Sequence, residues 1–402
     1  MSGSFGAGAL MSGAATADGA VVPGAATCPY KVVRDPETVR EVLHKPEDFS
    51  PANALLAVTP LSGPSLRVLQ KARFTLPPVL ASNATGSHAG IRKVVAGFFT
   101  PAKVAAMEPR IRQLARESAT HASQFIEDNG DVDLVQAVAA YPPAIVMMEL
   151  LGLPVRDLPQ LKAWSLDSLE LFWGWPDPER QLHLARNAAE FYTWLRELVV
   201  ESVAASTRNL FKSLADHGLS TPEICSLGYF LLIAGQETTT QLISTTLFRL
   251  LEGSRGVSWA EASSGIKARD MVRHILATES SVPTWRRVAA RDTVLNGEPI
   301  LAGEELLVEL TGNHGFPWAA DDASGAGDEA DGDRRGPVPY SLAFGSGIHR
   351  CLGAKLAELE AAVVVHQTAL ALPSIRLHDP RPEWLRLLSF QAPRTVTVTS
   401  MR

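Results

Sequence analysis

Residues 88–251 carry apolar side chains at helical spacing almost without a break, most regularly over 222–251, with proline-rich corners at Tyr141–Pro143 and Gly174–Pro178. A chain that spends so much of its length on such helices must bury them against one another, which restricts it to a mainly helical architecture. Strand signals are few. They occur in "RRVAARDTVLNGEPILAGEELLVEL", where Asn296-Gly297 calls for a hairpin turn, and as a further pair near "LRLLSF" and "RTVTVTS". "DPETVREVLHKPEDF" reads as a capped helix with Asp35 and Pro36 at its start. Residues 51–87, rich in Pro, Ser and Asn, read as a long loop of the kind that forms binding loops or lids. Residues 319–336 form an acidic, glycine-rich solvated loop, and residues 1–27 a mobile Gly/Ala/Ser-rich tail. No repeat and no linker divides the rest. The expectation is one mainly α domain with small β-sheets over residues 28–402.

Composition excludes several functions. A net charge of -6 makes no case for nucleic acid. Three cysteines, Cys28, Cys225 and Cys351, are no disulfide framework and suit a reducing cytoplasm. The tail has no basic region typical of a signal peptide, and the apolar run Cys225 to Gly235 is too short to span a bilayer. A cytoplasmic monomer without a membrane anchor is expected.

The chemistry concentrates in "FGSGIHRCLGAKLAELE", residues 344–360. From Ala354 onward Leu356, Leu359, Val363 and His366 recur at helical spacing, so a helix starts near Cys351 or Leu352. A thiol there faces unpaired N–H groups and the positive end of the helix dipole, which favour thiolate. Gly345, Gly347 and Gly353 remove side chains and leave room for a flat, bulky partner. Phe344 is placed to pack near the sulfur, and His349 to donate a hydrogen bond to an acidic group. A flat cofactor that takes a single axial thiolate and carries carboxylates is haem.

The spacing Phe344-x-x-Gly347-x-His349-x-Cys351-x-Gly353 resembles the haem-ligand signature of the cytochrome P-450 family. Two further stretches are similar to that family in the right order. "LLIAGQETTTQ" resembles its oxygen-activation motif: Ala234 and Thr238 share a helix face over the haem, Gly235 leaves space for dioxygen, and Glu237 with Thr238 forms an acid–alcohol pair. Thr238 is also expected to disturb the local helix hydrogen bonds. In "HAGIRKVVAGFFTP", His88 and Arg92 stand one helical turn apart and match a clamp for a haem propionate. Arg287 matches a further propionate ligand, with Arg286 as a competitor that spacing does not exclude, and His349 is a fourth partner.

The resemblance covers nearly the whole chain from about residue 30 and implies a helix-rich triangular prism around a buried haem b. It implies a monooxygenase of the soluble bacterial type, with Cys351 as iron ligand and electrons from a ferredoxin and its reductase. Arg350 and Lys355 are candidate docking charges. The substrate would be a small organic molecule, apolar or aromatic, of secondary metabolism. Its pocket would draw on residues 51–87, on 164–182 with Leu171, Phe172, Trp173 and Trp175, and on the turn at Ser389-Phe390. One departure stands out. The family's Glu-x-x-Arg pair is replaced by His274 and Ala277, and only Arg334 or Arg335 is placed to supply the charge that normally meets it. That departure keeps open a haem-free recruiting partner, beside a peroxygenase that uses hydrogen peroxide.

Overall fold

The computed structural model describes residues 29–206, 208–253, 258–311 and 342–401. The tail over 1–27, Cys28, the acidic loop at 319–336, Arg334 and Arg335 lie outside them. The described residues are mainly helical with small sheets, as the periodicity requires.

Strand β1 (Lys31–Val33) leads into α1 (Pro36–His44), which begins where expected: the Asp35 carboxylate accepts the Thr38 N–H at 2.8 Å, with Pro36 in the first turn. After β2 (Phe49–Ser50), the stretch taken for one long loop holds a helix, α2 (Gly63–Lys71). Ser62 caps it, Pro64 sits in its first turn, and Ser65 and Leu69 are its buried residues one turn apart. Its apolar face is too narrow to announce itself in the sequence. Then come α3 (His88–Ala96), α4 (Pro101–Asn129), β3 (Asp131–Asp133), α5 (Tyr141–Leu150), α6 (Leu158–Trp173), α7 (Pro178–Ala204) and α8 (Leu210–Asp216).

The longest helix, α9 (Thr221–Glu252), opens with a Ser220–Glu223 capping box and Pro222 and closes at left-handed Gly253. It is buried nearly all round, packed against α5, α6, α7 and the later helices α10 (Gly265–Thr278) and α11 (Ala354–Ala371). A helix with no solvent face belongs at the centre of a large core. Two of its buried hydroxyls are satisfied by bonding back one turn, Ser244 to Thr240 O and Thr246 to Leu242 O.

Strands β4 (Thr284–Ala289), β5 (Thr293–Leu295), β6 (Glu298–Ile300) and β7 (Glu305–Glu309) follow α10. Asn296 and Gly297, both at positive φ (50° and 80°), make the β5–β6 turn as read. β4 pairs antiparallel with β7 and β2, and β7 takes β1 on its other side, in parallel. After α11 come β8 (Ile375–Leu377), β9 (Trp384–Leu387), β10 (Phe390–Pro393) and β11 (Thr397–Ser400). The two C-terminal strand signals do not pair with each other. β9 turns onto β10, while β11 lies between β3 and β8.

Helix α10 carries the substituted positions: His274 is exposed and Ala277 half-buried. The helix is held by its buried face of Ala268, Met271, Val272, Ile275 and Leu276, and by Arg273, whose Nε lies 2.6 Å from Glu358 on α11. At its C-cap, Glu279 receives two hydrogen bonds from Arg249 of α9, at 2.8 and 2.6 Å. The Arg249 guanidinium also lies over the Phe248 and Trp384 rings. Glu279 is 6 % exposed, so losing its cation leaves a buried charge. Arg249→Met should lower the unfolding free energy by about 3–5 kcal/mol. Adding Glu279→Leu should recover most of that loss in denaturant titrations.

Candidate active site

The Cys351 thiol opens onto a cavity of about 270 Å³. The loop that presents it is closed by the Cys351 N–H donating to Phe344 O at 2.9 Å. Gly345 and Gly347 adopt positive φ, 66° and 69°. At Gly347 a Cβ would lie 2.5 Å from Leu43 O, so this glycine serves the seating of the loop on α1. Gly353 is the N-cap of α11, which starts at Ala354, slightly later than the sequence implied. Desolvation pushes the thiol's pKa up. The N–H groups of Gly353 and Ala354 and the charges of Arg92 and Arg350 pull it down.

Around the same end of the cavity stand cations without anions among the described residues. Arg287 is 1 % exposed, donates to Arg286 O at 2.8 Å, and has no carboxylate partner among the described residues. Burial alone pulls its pKa down to about 10. Arg286 points to the other side of β4, where it donates to Leu56 O and meets Tyr30, so of the two neighbours Arg287 lines the cavity. Arg92 lines the cavity and donates to Arg350 O. His88 lies behind it, buried, its ring edge-on to His349 at 4.9 Å, with Nε2 unpartnered. His349 donates from Nε2 to Asn83 O at 2.8 Å, so in its neutral form the buried Nδ1 is an acceptor and not the donor expected. Burial holds its pKa near 4. A carboxylate beside Nδ1 would draw a proton onto it.

On the opposite wall, α9 contributes Ala234, Gly235 and Thr238. The helix runs unbroken even though the Thr238 hydroxyl donates to Ala234 O at 2.6 Å, a bond that leaves its oxygen as an acceptor toward the cavity. Space for dioxygen at Gly235 is not what the structure shows. A Cβ there would lie 1.6 Å from Met147 Cε, so the missing side chain admits Met147 of α5. Glu237 is not among the lining residues. It is 1 % exposed and faces α6, where Lys162 Nζ lies 2.6 Å from its Oε1 and donates to Thr240 Oγ1 at 3.1 Å. Desolvation pushes the Glu237 pKa up, against the pull of Lys162. Lys162 was missed in the sequence, since a lone lysine on an amphipathic helix carries no signal.

The far end of the cavity is apolar: Leu55, Val79 and Leu80 from the 51–87 segment, with Phe230, Trp285 and Phe390. Of the regions named from the sequence, residues 51–87 and Phe390 supply lining residues. Leu171, Phe172, Trp173 and Trp175 do not line the cavity, and Trp173 packs behind Trp285 and Phe390.

No protein-family model matches the chain. It is 32% identical over 305 residues to the cytochrome P450 YjiB of Bacillus subtilis, covering 71% of this chain and 72% of that one. The chain belongs to the cytochrome P450 family. Another P450, the monooxygenase PikC of Streptomyces venezuelae, is 28% identical over 299 residues, 72% of this chain and 68% of that one. Among solved structures, cytochrome P450 CREJ in complex with (4-ethylphenyl) dihydrogen phosphate superposes with a TM-score of 0.79 at 28% identity, covering 93% of this chain and 92% of that one. P450s of this kind are monooxygenases that bind haem b, and among the described residues no helix is long and apolar enough to cross a membrane.

The residues present fit that cofactor. A haem brings two carboxylates and needs one thiolate. This cavity is lined by one thiol, a buried guanidinium with no acid among the described residues, and His349 with its orphaned Nδ1. His88, whose Nε2 is also orphaned, packs on the His349 ring outside the lining. The fit makes opposite demands on Arg287 with and without haem. Arg287→Met should leave the haem-free protein as stable as wild type, or more stable by about 1–3 kcal/mol, because an unpaired buried charge is removed. The loaded variant should release haem to an acceptor protein faster. A less stable haem-free variant would contradict this account.

Proposed function

We propose that this P450 holds haem through the Cys351 thiolate and oxidises a neutral, apolar or aromatic small molecule of secondary metabolism. The observation that carries the reading is the single thiol facing Thr238 across a cavity whose charges are gathered at the thiol end. When bound, the haem supplies the oxygen chemistry, and its thiolate ligand favours O–O cleavage. The remaining work falls to side chains. The N–H groups of Gly353 and Ala354 stabilise the thiolate, and Arg287, Arg92, His88 and His349 hold the propionates. Phe344, Gly345 and Gly353 shape the thiol side, and Ala234 and Gly235 the opposite wall.

The Thr238 hydroxyl donates to Ala234 O, and its oxygen would accept a hydrogen bond at the cavity wall. Glu237 keeps a carboxylate one residue away, ion-paired to Lys162, from which protons reach Thr238 when the pair opens. The substrate end carries no charged lining residue: Arg92, Arg287, His349 and Arg350 are all near Cys351. This supports an uncharged substrate, unlike the aryl phosphate bound by CREJ. Exposed Arg350 and Lys355 suit an acidic ferredoxin, which with its reductase would supply the electrons. On this reading residues 28–402 act as one cytoplasmic, monomeric unit.

The carbon monoxide complex of the reduced protein should show the red-shifted Soret band of thiolate ligation, lost in Cys351→His. A histidine-type spectrum in wild type would refute the assignment. Turnover with a ferredoxin system should exceed turnover with hydrogen peroxide, and the reverse would make the protein a peroxygenase. Thr238→Ala should bind substrate nearly as wild type while diverting electrons to peroxide or water. Product formed per electron is the measurement, and an unchanged ratio would remove Thr238 from the mechanism.

A further inference from the structure

An unbroken file of aromatic rings leads from the cavity to the surface. Trp285 lines the cavity and lies 6.2 Å, centroid to centroid, from Trp173, which is 6.0 Å from Phe172. Phe172 is 6.3 Å from Tyr229, and Tyr229 is 4.6 Å from Phe191. Phe191 reaches Trp164 at 5.7 Å, and Trp164 reaches half-exposed Trp194 at 5.8 Å. Packing alone explains adjacent rings in a core. It does not explain how the indole N–H groups along the file differ.

The Trp173 and Trp164 Nε1 atoms are buried with no hydrogen-bond partner. An indole oxidised by one electron becomes much more acidic, but at these two sites its proton has no acceptor, so the oxidation cannot settle there. Tyr229 is fully buried, and its pKa is driven up. The Ser168 hydroxyl donates to Trp164 O at 2.6 Å, so the Tyr229 O–H must donate to Ser168 Oγ, a weak base. Trp194 differs from all of these. Its Nε1–H donates to the carboxylate of Asp157 at 3.1 Å, at the protein surface.

We propose that this file is an electron path that protects the enzyme when the haem becomes oxidised with no substrate in the cavity. An electron passes inward from ring to ring and reduces the haem's oxidising equivalent. The vacancy moves outward and comes to rest at Trp194 as the indole proton moves to Asp157. Two such electrons, with two protons, release the activated oxygen atom as water. A solution thiol restores Trp194 by giving up a hydrogen atom, and Asp157 returns its proton to solvent. Phe172 and Phe191, too hard to oxidise, serve as bridges.

The test uses the haem-loaded full chain treated with hydrogen peroxide, without substrate or electron-transfer protein. The thiolate-type carbon monoxide spectrum of the same sample, recorded first, tests the cofactor assignment on which this rests separately. Freeze-quenched samples should show a neutral tryptophan radical, and peptide mass spectrometry should find oxygen added mainly at Trp194. In Trp194→Phe, where the oxidation has lost its resting place, the haem should bleach several-fold faster. In Asp157→Asn, a surface change, the neutral radical should be lost with the haem spectrum intact. Tyr229→Phe should lower Trp194 oxidation several-fold. Equal Trp194 oxidation in haem-free protein, or in Tyr229→Phe, would mean direct attack by peroxide and would overturn the proposal. So would oxidation confined to cavity-lining residues.

Discussion

The charge on Arg287 has no counter-charge among the described residues. A guanidinium at 1 % exposure, without a carboxylate among the described residues, is a cost that an anionic group from outside the chain would offset. The neighbouring groups share that incompleteness. The unpartnered nitrogens of His88 and His349 lie on the same side, and the Cys351 thiol gains its stabilising N–H groups from the start of α11. The polypeptide alone is therefore an unfinished core, and its stability and its cofactor are parts of one quantity.

Opposite this charged end, α9 gives the cavity its other wall, and it is built by exclusion. Met147 occupies the place a side chain at Gly235 would need, and the Thr238 hydroxyl is spent on Ala234 O within the helix itself. Glu237 points into the protein, and its charge is met there by Lys162. Adjacent positions on one helix thus serve different environments, as helical geometry requires.

How much of this was legible depends on whether the information was local. The α1 cap, the Asn296-Gly297 turn, the loop around Cys351 and the i, i+4 relation of His88 and Arg92 are set by a few neighbouring residues, and the sequence displays them. Helix α2 was hidden because only Ser65 and Leu69 are buried on it. The choice between Arg286 and Arg287 waited on the strand's facing, which depends on pairing with β7. Lys162 and Glu237 are 75 residues apart in sequence, and His349 finds Asn83 266 positions away. Such contacts exist only once the chain has folded.

The Lys162–Glu237 contact also bears on how these sequences can be recombined. It ties α6, which stands over the aromatic side of the cavity, to the helix that carries Thr238. A chimera taking α6 from one relative and α9 from another, a natural route to new substrate preference, would separate two residues that are tolerable only together. Crossovers that keep both from the same parent, or replace both with apolar residues, avoid stranding a lone charge in the interior. The inherited block in such a library is therefore this pair of helices, which runs across the boundary that chain order alone would draw between them.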